Sequence, residues 1–83
     1  MTKMIGPRLP PDFSEMGPMA IFRVLNELDV PPRVLRAYET SLDANCYLAV
    51  ESKSVAPLKS FLDLWRGLAH IYWVRYTPRE ISE

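Results

Sequence analysis

The chain has 83 residues, enough for one domain whose core is small relative to its surface. Ten basic residues balance ten acidic ones, which excludes any general electrostatic pull towards nucleic acid or anionic lipid. A hydrophobic share of 48% excludes intrinsic disorder, and a single cysteine, Cys46, excludes an internal disulfide framework.

No apolar run approaches the roughly 20 residues that span a bilayer, so no membrane association is expected. No apolar stretch follows Lys3, so no secretory signal is read and a cytoplasmic location is expected. Residues 1–17 form an irregular N-terminal segment, because Gly6, Pro7, Pro10, Pro11 and Gly17 break regular structure. Within it, Thr2 to Ile5 is a weak candidate for an edge strand. Pro18 suits the first position of a helix, where its missing N–H costs nothing. Ile21, Phe22, Leu25 and Leu28 then share one helical face. Pro31 and Pro32 require the helix to end by Val30.

Residues 33–40, RVLRAYET, carry Val34, Tyr38 and Thr40 and predict a strand. SLDAN supplies turn residues, and CYLAVES predicts a second, buried strand, which completes a β-hairpin. Ser54 is the expected N-cap of another helix, with Pro57 in its first turn. Leu58, Phe61, Leu62 and Trp65 fall on one face of that helix. Gly67 is read as its left-handed stop. HIYWVRY, residues 70–76, predicts a final strand that Pro78 ends. The resulting order is an α+β, ferredoxin-like (β)αββαβ single domain over 1–83, its first strand weak or missing. Two helices cover one face of an antiparallel sheet, and the other face stays open.

The hairpin VLRAYETSLDANCYLAVES followed by VAPLKSFLDLWRGLAHIYWVRYTPRE resembles the second half of small uncharacterised proteins of the dimeric α/β-barrel group. Val50, Glu51, Pro57, Trp65 and the segment His70 to Tyr76 carry the resemblance, over about half the chain. It implies paired sheets in a homodimer. In that group the open face forms either the dimer interface or a cavity, and enzyme relatives include cofactor-independent monooxygenases and lactone isomerases.

Strand alternation places Arg36, Tyr38, Tyr47, Glu51, Trp73 and Arg75 on the open face. Arginines and aromatic rings suit a small aromatic or carboxylated ligand. They suit a protein interface equally, since Tyr, Trp and Arg are enriched there. His70 and Glu51 are the weak candidates for acid–base chemistry. Cys46 is expected to be a buried, inert thiol. No ligand set supports a metal, and no glycine-rich loop supports a phosphate or a cofactor. The aromatic strand lacks the basic surround of an RNA-binding sheet. The expected function is therefore a non-enzymatic homodimeric or accessory protein that binds itself or another protein. The alternative is small-molecule binding or cofactor-free catalysis in a barrel cavity.

Overall fold

The computed structural model of the protein describes residues 10–76, and no strand occurs among them. A short 3-10 turn at Phe13–Glu15 leads into three helices, α1 at Pro18–Glu27, α2 at Pro32–Ser52 and α3 at Ala56–Tyr76. The ferredoxin-like fold and the likeness to the dimeric α/β-barrel group are therefore both overturned. There is no sheet and no open sheet face, and the candidate strand at Thr2 to Ile5 lies outside the described residues.

The reasons are local. Both segments read as a hairpin, with the turn between them, form one continuous helix. Tyr38, Leu42, Asn45 and Ala49 fall at i, i+4, i+7 and i+11, the period of a helix rather than a strand. The presumed turn residues are accommodated by bonding inside the helix. Asn45 Nδ2 donates to the Ser41 carbonyl at 2.8 Å and lies 3.4 Å from the Ser41 hydroxyl. Gly67 does not stop α3. It lies mid-helix and costs about 1 kcal/mol relative to alanine, too little to break a packed helix. HIYWVRY continues that helix, and Tyr72 and Tyr76 pack their rings at 5.8 Å across one turn.

The expectations that depended on chain termination fared better. α1 begins on Pro18, as its sequence predicts. Ser54 Oγ accepts the Ala56 N–H at 3.1 Å at the start of α3. α1 and α2 end in the same way. Asp29 and Lys53 take left-handed φ angles of 61° and 55°. The Val30 N–H then reaches the Leu25 carbonyl, and the Ser54 N–H reaches the Ala49 carbonyl. This is the Schellman arrangement, which satisfies carbonyls that a helix end leaves free. The buried Val30 and Leu25 add its usual apolar contact.

α2 and α3 form a long antiparallel hairpin, each about 32 Å from end to end. α1 is about 15 Å long and reaches only half that distance. The core sits where all three helices meet. It contains Ile21 and Leu25 of α1, Tyr38 of α2, and Phe61, Trp65, Ala69 and Trp73 of α3.

Tyr38 is 1% exposed, with its ring centroid 5.3 Å from Phe61 and 5.0 Å from Trp65. Its hydroxyl donates to the Pro18 carbonyl at 2.5 Å. Arg66 makes a second tie, its Nε donating to the Met16 carbonyl at 2.8 Å. The Trp65 indole N–H is buried without an acceptor, which costs about 1–3 kcal/mol. Burying an indole ring of about 200 Å² returns roughly 5 kcal/mol, so the residue still stabilises the core.

Burial pushes the Tyr38 phenol up from 10.0 to about 12. The neutral form is thus favoured in the folded protein. Stability is unaffected below about pH 10, where Tyr38 is neutral in both states. It falls as pH rises from about 10 to about 12, because only the unfolded chain gains by ionising. The expected loss is on the order of 2–3 kcal/mol. Tyr38→Phe should abolish that alkaline step and cost about 1 kcal/mol at neutral pH, by removing the hydrogen bond to the Pro18 carbonyl. Urea denaturation at pH 7 and pH 11 measures both effects.

Candidate functional site

The residues expected on a sheet face separate in the helical fold. Tyr38 and Trp73 are core residues and unavailable to a ligand. Arg36, Tyr47 and Glu51 are exposed on α2, on the side opposite Tyr38. Arg36 and Tyr47 are eleven residues apart, about 16 Å along the axis. Arg75 is exposed near the far end of α3, while Glu51 lies beside the α2–α3 turn. Their positions along the hairpin differ by about 27 Å. No common pocket joins these six residues, and the barrel cavity of the alternative reading has no sheet to form it.

His70 is exposed, and its ring stacks on Phe13 with centroids 5.1 Å apart and planes 17° apart. Phe13 in turn meets Trp73 edge-on at 6.2 Å. His70 thereby holds the 3-10 turn against α3. Among the described residues no group of three or more His, Cys, Asp or Glu is placed to hold a metal ion. No helix among them is long and apolar enough to cross a membrane. Arg66 and Asp63 approach to 3.9 Å in an exposed pair that contributes little.

Cys46 corrects its sequence reading in the other direction. It is exposed rather than buried. It lines a shallow groove with Ala49, Val50, Val55 and Leu58, closed at one end by Lys53 and Ser54. The groove exists because α1 is short. At 100° per residue, Val55 and Leu58 lie on the same side of α3 as Ala69 and Trp73, which the core of α1 and the 3-10 turn cover. That cover runs out before the α2–α3 turn.

The opposite side of the hairpin has no covering element among the described residues. On α3 it presents Leu64, Gly67, Ile71 and Val74, at i, i+3, i+7 and i+10. The three large residues are each more than half exposed. On α2 it presents Ala37, Ser41, Ala44 and Leu48, at i, i+4, i+7 and i+11. Gly67 has open space where a Cβ would stand, so no internal contact accounts for it. These eight positions carry no charged side chain, and Arg75 borders them beside Ile71 and Val74.

None of these eight was singled out from the sequence as a site. The signal was present in the heptad spacing of Leu64, Gly67, Ile71 and Val74. It was split when Gly67 was read as a helix end. Comparison of the chain with protein-family models, with curated proteins and with solved structures found no match in any of the three.

The placement of Cys46 has a direct check. A thiol exposed on a helix should react with a soluble disulfide reagent in the folded protein at a rate within about tenfold of that in urea. A rate a thousandfold slower would return Cys46 to the interior.

Proposed function

We propose that this is a non-enzymatic protein whose activity is association, and that it acts as a homodimer assembled through its α2–α3 hairpin. One observation carries the reading. The large apolar side chains Leu48, Leu64, Ile71 and Val74 are half or more exposed along one side of the hairpin. Scattered apolar exposure is normal on any surface, but contiguous faces of this kind mark contact sites.

Size and charge support the same reading. A chain of 83 residues buries a limited core, and small domains commonly gain stability by oligomerising. Zero formal net charge leaves no long-range repulsion between copies. The groups that usually do chemistry are dispersed, with His70 on α3 committed to Phe13 and Glu51 remote from it at the end of α2.

Light scattering across a concentration series from about 1 to 100 μM tests this, a range set by ordinary association free energies. A mass twice that of the chain, dissociating only at the low end, is the expected result. A single-chain mass at every concentration refutes it.

A further inference from the structure

We infer that the partner is a second copy seated on the side of the hairpin away from α1, with the two-fold axis parallel to the helices. Each α3 then lies along α2 of the other copy. This rests on the self-association reading and specifies its surface and symmetry.

The argument comes from the register of the hairpin. Positions equally far from the α2–α3 turn stand level with one another. Ala44 is eight residues before the end of α2, and Leu64 is eight after the start of α3. Counted in the same way, Leu48 is level with Ser60, Ser41 with Gly67, and Ala37 with Ile71. Three of the four levels pair one large residue with one small one. The remaining level, Ser41 with Gly67, pairs two small ones.

A two-fold axis along the hairpin places each residue over the other helix of the partner at the same level. Leu64 then enters the space above Ala44, Ile71 the space above Ala37, and Leu48 the space above Ser60. Gly67 meets Ser41, which lets the backbones approach closely at the centre. Leu64, Ile71 and Leu48 each meet a small residue, as close packing requires, while Val74, level with Val34, lies at the open end of the hairpin. An axis across the helices instead sets α3 on α3 and α2 on α2. Large residues would then collide along one seam and leave voids along the other. The product of the parallel axis is a four-helix bundle of two hairpins, with each α1 on the outside.

Area separates this side from the groove by Cys46. A face two helices wide and about 30 Å long projects roughly 600 Å², close to the ~800 Å² per partner of a standard interface. The groove occupies about half that length and falls well short.

Two sets of variants test the inference. Ala44→Glu places a charge at the centre of the face on an exposed helical position, and Val50→Glu places one in the groove. The expected result is a loss of self-association of at least tenfold for Ala44→Glu and little change for Val50→Glu, with helical circular dichroism preserved in both. The reverse pattern assigns the interface to the groove and overturns the inference, while leaving the self-association reading intact.

The axis is tested in a Cys46→Ser background carrying either Ser41→Cys or Gly67→Cys. The two proteins are refolded together and treated with a short bismaleimide. The mixture should yield a cross-linked heterodimer at several times the rate of either homodimer. Faster cross-linking of Ser41→Cys to itself overturns the parallel axis. A single-chain mass for the unsubstituted protein removes both the inference and the reading beneath it.

Discussion

The hydroxyl of Tyr38 donates to the Pro18 carbonyl while its ring packs against Phe61 and Trp65. One side chain from α2 thus touches the first residue of α1 and the inner face of α3. The other features depend on that junction. It fixes α1 against one side of the hairpin and at one end of it. What α1 covers becomes core, and what lies beyond its reach becomes surface.

Helix length then decides where function can reside. A ten-residue helix cannot mask two helices of twenty-one. The hairpin keeps one side without a neighbour among the described residues, and that side is mostly apolar and small residues, with Arg75 towards one end. Its small residues also matter energetically. Alanine, serine and glycine present little area of their own to water. They lower the cost of leaving the face exposed in a monomer, and they create the recesses a partner helix needs.

A general base needs a second group to orient it and a cavity that excludes water. His70 is instead stacked on Phe13, and the shallow groove by Cys46 is lined mainly by aliphatic carbon.

Sequence alone determined the punctuation of this protein. Pro18 opens a helix, that helix ends before Pro31 and Pro32, and Ser54 begins the last one, because proline geometry and hydroxyl capping act within a few residues. It also determined that Phe61 and Trp65 share a buried helical face. The state of residues 33–52 and 67–76 was decided by tertiary packing. Val34, Tyr38 and Thr40 lean towards strand, and Ser41, Asp43 and Asn45 towards a turn, each by a fraction of a kcal/mol. Burying Tyr38 between α1 and α3 outweighs all of those preferences together. Gly67 follows the same logic, since its local cost is small beside the continuous packing of Trp65, Ala69 and Trp73. Once α2 and α3 run unbroken, residues assigned to one sheet face scatter around two helices. The uncovered side of the hairpin then emerges from a register that no short window of sequence contains.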